Sequence, residues 1–268
     1  MSKKSLGNKS KMLMFRLLFE EKPVLDMQKI LEEIQKVYPN VTYDVKANVY
    51  TFPDCKIEFE EGIVPAQCVV MQAEDDGVKK IDDKYLQQNW HWDEASDILD
   101  KCKYEVLVTD FLSRSLEPRI RIVLIQQMLY AMTKVCHPTI IVAEHSEKLI
   151  DPKTFIQDCS DPNYIALDLA VNVRLFNVEN QEEGNVLMDT IGLHSLGLPD
   201  FQIIFNDEEI IGLVANQLWN YAYYLMQEGD IIKNGDTVEG IGEGSKWLCH
   251  LQWSDTDPKR TVLNLEMN

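Results

Sequence analysis

Residues 186–205 read VLMDTIGLHSLGLPDFQIIF, two apolar runs joined by a turn that carries two glycines and a proline at fixed offsets. The pattern predicts strand, tight turn, strand. Asp189 or Thr190 is placed to cap a short helix, Gly197 to close it in a left-handed turn, and Pro199 to keep it from running into a strand at 201–205. Gly192 and Gly197 do not make a nucleotide loop. GLHSLG lacks both the G-x-G-x-x-G spacing and the lysine that a phosphate cradle needs. His194 and Ser195 are not expected to work as a dyad, because adjacent side chains seldom point at each other.

Downstream, Asn206 and Glu209 form a capping box for a helix over 208–228. Ile211, Val214, Leu218, Tyr221 and Leu225 mark its apolar face, and Gly229 stops it. Asn234–Gly235–Asp236 is a hairpin-type turn. Alternating strands at 246–253 and 261–265 follow.

Upstream, a polar loop at 178–185 is preceded by a long strand at 164–176 that could pair with a second copy. Residues 144–162 are polar, with prolines at 152 and 162, and make the candidate boundary between two parts. Before it, a β-rich run at 104–111, a helix at 120–136 apolar on nearly all sides and a run at 139–143 predict a βαβ unit. Its crossover would be right-handed and its two central strands parallel. A helix at 90–102 carries Trp92, Ala95, Leu99 and Cys102 at helical spacing, with Asn89 as its cap. An acidic linker at 74–76 precedes it. The strand at 64–73 contains Pro65, which favours an edge or a strand start. Short alternating segments at 41–59 make a meander, and a strand at 12–19 and a helix at 27–37 open the folded chain.

The fold class expected is α+β (mixed α/β): mixed sheets with packed helices, a central βαβ unit and antiparallel strands at both ends. The expected parts are a disordered basic leader at 1–11, an N-terminal α+β part at 12–157 and an acidic α+β part at 158–268, the last two free to form one continuous domain.

Charge narrows the function. The formal net charge is −18, and residues 158–268 hold 19 acidic against 5 basic side chains. Nucleic acid is a disfavoured partner, because phosphate contacts need clustered Lys and Arg. No apolar run approaches the ~20 residues of a bilayer span, and no secretory signal is read at the N-terminus, so a cytoplasmic protein is expected. The six cysteines form no C-x-x-C pair, and the five histidines show no zinc spacing. Core thiols are expected, and no cofactor or metal.

Three clusters carry candidate chemistry. Asp110 and Glu144–His145 end the two strands of the βαβ unit, where α/β sheets place ligands. Arg114, Arg119 and Arg121 precede the buried helix and suit either a phosphate or nearby carboxylates. Trp90–His91–Trp92–Asp93 either lines a pocket or places one ring in the core and one at its edge.

The sequence resembles an uncharacterised bacterial family, the domain of unknown function numbered four-two-six-one. The resemblance is carried by Asp189, Thr190, Gly192, Leu193, Leu196, Gly197, Pro199 and Asp200 in DTIGLHSLGLPD. The strand at 167–176, the Trp92–Ala95–Leu99 pattern leading into 106–109, Pro65–Ala66 and NGDTVEG at 234–240 support it. The resemblance implies no activity and no catalytic residue. It implies an association with toxin-immunity genes, and hence a role in binding and neutralising a toxin.

A cytoplasmic, non-enzymatic binding protein is therefore expected, occluding a basic toxin or effector through Glu208, Glu209, Glu228, Asp230 and Asp236. The alternative is a small-molecule or metal-dependent enzyme with its site near Asp110 and Glu144. A structural subunit, dimeric through 164–176, is a third reading.

Overall fold

Five of the six residues of β1 (Met14–Phe19) are buried, and the first of two units is built around that strand. The computed structural model describes residues 6–60, 62–72, 77–161, 163–178 and 184–267. The chain divides into one unit of residues 12–170 and another of 1–11 with 171–268. The acidic linker at 74–76, Pro162 and most of the polar loop at 178–185 lie outside the described residues.

The first unit contains α1 (Met27–Gln35), β2 (Thr42–Asp44), β3 (Val49–Phe59), β4 (Gly62–Gln72), α2 (Asp83–Gln87), α3 (Ala95–Leu99) and β5 (Tyr104–Phe111). It continues through α4 (Pro118–Cys136), β6 (Ile140–Ala143), β7 (Lys148–Ile150) and α5 (Pro152–Asp158). Its seven strands lie in the order β2-β3-β4-β5-β1-β6-β7. All neighbours pair antiparallel.

The β5-α4-β6 unit expected from the sequence is present but split. β5 and β6 run in the same direction, yet β1 is inserted between them, antiparallel to both. Phe15 and Leu17 point to one face and Leu18 to the other, and all three are fully buried, so β1 is covered on both faces as well as paired on both edges. On one face Leu18, Ile140, Val142 and Leu149 pack with Ile81, Tyr85 and Ala95. α4, with ten buried residues, packs against β5, α1 and α5.

Other expectations need correction. The helix at 90–102 is only Ala95–Leu99, and Asn89 donates its amide to the Trp92 carbonyl instead of capping a helix. The polar stretch 144–162 folds into β7 and α5, with Asp151 capping α5 through the amides of Lys153 and Thr154. Pro65 lies in an internal strand, but opposite Lys56 at a register shift in β3 and outside the span paired with β5. It is locally an edge, so its missing N–H costs no ladder bond. The long strand at 164–176 is instead a 3-10 turn, Leu167–Leu169, followed by β8 (Asn172–Asn177). Ile165, Leu167 and Leu169 alternate as a strand would, but their burial satisfies the same pattern in a turn.

The second unit adds β9 (Val186–Ile191), β10 (Asp200–Phe205), α6 (Ile211–Glu228), β11 (Thr237–Glu239), β12 (Lys246–Trp253) and β13 (Thr261–Met267). Its sheet runs β11-β12-β13-β10-β9-β8, with β10 and β13 parallel and the other pairs antiparallel. The class is α+β, with one antiparallel and one mixed sheet. α6 covers one face. Phe201 meets Tyr221 with ring centroids 5.3 Å apart, and Val214, Leu218, Ala222 and Leu225 are buried beneath the helix. Entry to α6 is capped one residue later than expected: Asp207, not Asn206, accepts the Glu209 amide. Gly229 ends α6 with its N–H on the Leu225 carbonyl.

Residues 8–11, expected in a disordered leader, make specific bonds in this unit. The Asn8 amide donates to the carbonyls of Leu198 and Thr261, and its oxygen accepts from the Thr261 amide. The Lys11 amide donates to the Ser195 carbonyl at 2.8 Å.

Candidate functional site

The face of the second sheet opposite α6 carries a polar row. Cross-strand register places Arg174 opposite Asp189, Asp189 opposite Gln202, Gln202 opposite Asn264, and Asn264 opposite His250. Residues directly opposite share a face, so one line of polar side chains crosses five strands. The 254–260 segment folds onto it. Gln202 donates to Asp255 and Asn264, and accepts from the Asp255 amide.

At one end of this row the motif forms a buried ionic knot. Arg174 grips both carboxylate oxygens of Asp189 through Nε and Nη2, at 2.9 and 2.7 Å. Arg260 Nη2 donates to Asp189 at 2.7 Å and its Nε to Asp200 at 3.1 Å. Asp200 also accepts the amides of Leu193 and His194, the Thr190 hydroxyl, and lies 2.9 Å from His194 Nδ1. Both aspartates are fully buried. Burial alone would raise the Asp200 carboxyl, but hydrogen bonding from His194 and the Arg260 charge overcome it and hold the group below 3.8.

The cap of the 3-10 turn Leu193–Leu196 is therefore Asp200, reaching back from β10, and not Asp189 or Thr190, which belong to β9. Gly192 at φ 129° and Gly197 at φ 85° hold the turn's two ends in backbone that favours glycine. Ser195 Oγ lies 3.3 Å from His194 Nε2, so the adjacent pair does meet, contrary to the expectation. Both are buried, at 1% and 5% exposure, and neither lines the concavities of 790, 690 and 110 Å³ among the described residues. Leu193, Leu196 and Leu198 pack into the core around it. The motif's geometry is that of a structural lock.

The Asp110 and Glu144 pair does not converge. Asp110 lies near the end of β5 and Glu144 just after β6, two strand spacings apart, or about 10 Å. Asp110 is fully buried and accepts from the Leu13 amide at 2.6 Å, the Ser113 hydroxyl and the Arg121 guanidinium. That pairing answers the question of Arg121, which meets a carboxylate. Glu144 bridges Arg16 at 3.1 Å and the Tyr85 hydroxyl at 2.9 Å. His145 stands edge-on to Phe15, with ring centroids 5.1 Å apart. None of the three lines any of those three concavities. Among the described residues no group of three or more His, Cys, Asp or Glu is placed to hold a metal ion, and no helix is long and apolar enough to cross a membrane. All six cysteines are free.

The open feature of the second unit is a groove of 790 Å³ between α6 and β11. Gln217, Asn220 and Tyr224 line it from the helix, being spaced three and four apart on one face. Ile231, Asp236 and Glu239 line it from the other side. The Glu239 carbonyl is held to the helix by Gln217 at 2.9 Å and by the Tyr221 hydroxyl. Tyr224 and Ile231 are 48% and 45% exposed, so the groove presents apolar surface to solvent beside carboxylates.

Of the five acidic residues named from the sequence, all are exposed, but they are not one patch. Glu228, Asp230 and Asp236 cluster at the C-terminal end of α6, whereas Glu208 and Glu209 stand at its start, about 27 Å away along 18 residues. Asp230 is paired with Lys233 at 3.0 Å. Tyr224, Ile231 and Glu239 were missed. Their signal was Tyr223–Tyr224, two large aromatics off the apolar stripe of the helix.

No curated protein and no solved structure matches the chain. Residues 189–266 match the profile of a domain of unknown function, DUF4261, a span that takes in Asp189, Asp200 and Arg260 of the ionic knot, α6 and the groove, while Arg174 lies upstream of it. Trp92, Pro65 and the other upstream positions on which the resemblance was expected to rest lie outside that span. The second unit of this chain therefore carries, at residues 189–266, a DUF4261 domain.

Proposed function

We propose that this protein is a non-enzymatic binding protein that takes a basic protein partner, of the toxin or effector kind, in the groove between α6 and β11. The observation that carries this reading is the pairing of exposed Tyr224 and Ile231 with Asp236 and Glu239 in one groove. Interfaces gain most from aromatic anchors in partly desolvated pockets, and carboxylates at the rim select a basic partner.

The charge of the unit supports it. The unit, residues 1–11 and 171–268, contains 16 carboxylates and nine basic side chains. Asp189 and Asp200 balance Arg174 and Arg260 inside the knot. That leaves 14 carboxylates against seven lysines, four of them in residues 1–11, to set the field outside. Such a field accelerates encounter with a cationic partner, and occlusion of that partner's surface would neutralise it.

The test is affinity purification from the native cell with quantitative mass spectrometry, comparing the wild type with a Tyr224→Ala, Asp236→Lys, Glu239→Lys variant. The reading expects a lysine- and arginine-rich protein held by the wild type and lost from the variant. Equal recovery from both would overturn it.

A further inference from the structure

Trp92 and Asp151 each line two concavities of the first unit, a groove of 690 Å³ and a recess of 110 Å³. We propose that this groove is a binding site for a small organic cation, an ammonium group carried on an apolar or aromatic body. The proposal concerns the first unit and is independent of the partner groove on the second.

The groove has the volume of a small-molecule site. Its apolar wall is Trp92, Ile98 and Ile156, and its rim carries Glu20, Glu94 and Asp151 against Lys153 and His137. Asp151 also caps α5, accepting the amides of Lys153 and Thr154. The recess beyond Trp92 adds Asp158 and Asp168, the latter held by buried Lys148. A tryptophan face with surrounding carboxylates attracts an ammonium and repels an anion.

A separate observation points to a ligand. Thr133, on the α4 side of the groove, is 4% exposed, and its hydroxyl has no hydrogen-bond partner among the described residues. The buried hydroxyls of Ser146 and Thr261 share this state but line neither concavity, and an ammonium N–H is a donor of the kind the Thr133 oxygen accepts. The ligand class thus follows from three features: a cation for the carboxylates, a donor for Thr133 and an apolar body for Trp92.

The test uses the full chain labelled with 5-fluorotryptophan, whose five tryptophans give separate fluorine NMR signals, with Trp92→Phe assigning the one of interest. Phenethylammonium chloride is titrated against sodium phenylacetate as the anion of matched shape. A saturable shift of the Trp92 signal with the ammonium alone supports the site. Glu20→Gln with Glu94→Gln should weaken it roughly fivefold, as should Thr133→Val, with the other four signals reporting an intact fold. Equal response to both probes, no saturable shift, or affinity unchanged in both variants would overturn the proposal. A response to an arginine peptide but to no small ammonium would also overturn it, in favour of a protein ligand.

Discussion

Arg260 and Asp189 are 71 residues apart in sequence, yet Arg260 Nη2 lies 2.7 Å from Asp189 Oδ2 with both side chains buried. This bond closes the loop between β9 and the start of β13. Because Arg260 also serves Asp200, Arg260→Ala would take a cation away from two buried carboxylates at once. Removing one partner of a buried pair costs about 3–5 kcal/mol. Chemical denaturation should show a loss of that order, and a change below about 1 kcal/mol would mean the knot is not a lock.

Asp200 sets an acid limit. Its folded value lies below 3.8, so the ionised carboxylate stabilises the unit above the unfolded value and loses that contribution as pH falls through the folded one. Wild type should therefore lose stability on acidification below about pH 4. Asp200→Asn, weaker already at neutral pH, should show a flatter slope across the same window. Parallel pH–stability curves for the two proteins would contradict this.

Asn8 ties the N-terminal segment to both Leu198 and Thr261 with three hydrogen bonds. Asn8→Ala should cost about 1–2 kcal/mol and speed amide exchange at Thr261, whose N–H donates to the Asn8 oxygen. Unchanged exchange there would show that the segment is not held.

Position along α6 separates the acidic residues. Reversing Glu228, Asp230 and Asp236, beside the groove, should slow association with a basic partner about tenfold and flatten its salt dependence. Reversing Glu208 and Glu209, a helix length away, should have a smaller effect. Stopped-flow association at two ionic strengths reads both, and equal effects would assign the steering to net charge instead of the groove.

Much of the fold was legible because it rests on local period. The apolar stripe of α6, the all-round apolar α4 and the alternation of β12 and β13 each report burial directly. What escaped was set by partners far along the chain. The insertion of β1 between β5 and β6 depends on pairing with residues 89 and 128 positions or so away, as Arg16 with Glu105 and Glu144 shows. Asp200 capping the turn from behind, in place of Asp189 or Thr190, has no signature in forward spacing. The DTIGLHSLGLPD motif was visible as a turn, but its role as an ionic lock needed Arg174 and Arg260 brought to it by the sheet. The groove was half legible: Asp236 was named for charge, while Tyr224 and Glu239 became neighbours only through the return of the chain at Gly229.

The most direct measurement is site-specific photo-crosslinking in the native cell, with a benzophenone amino acid at Tyr224 and, as a control, at Val24, which is 84% exposed. The account predicts that Tyr224 captures a lysine- and arginine-rich protein that Val24 does not, and that high salt or Asp236→Lys with Glu239→Lys abolishes the capture. Identical captures at both positions, or a capture indifferent to salt and to those charges, would contradict it.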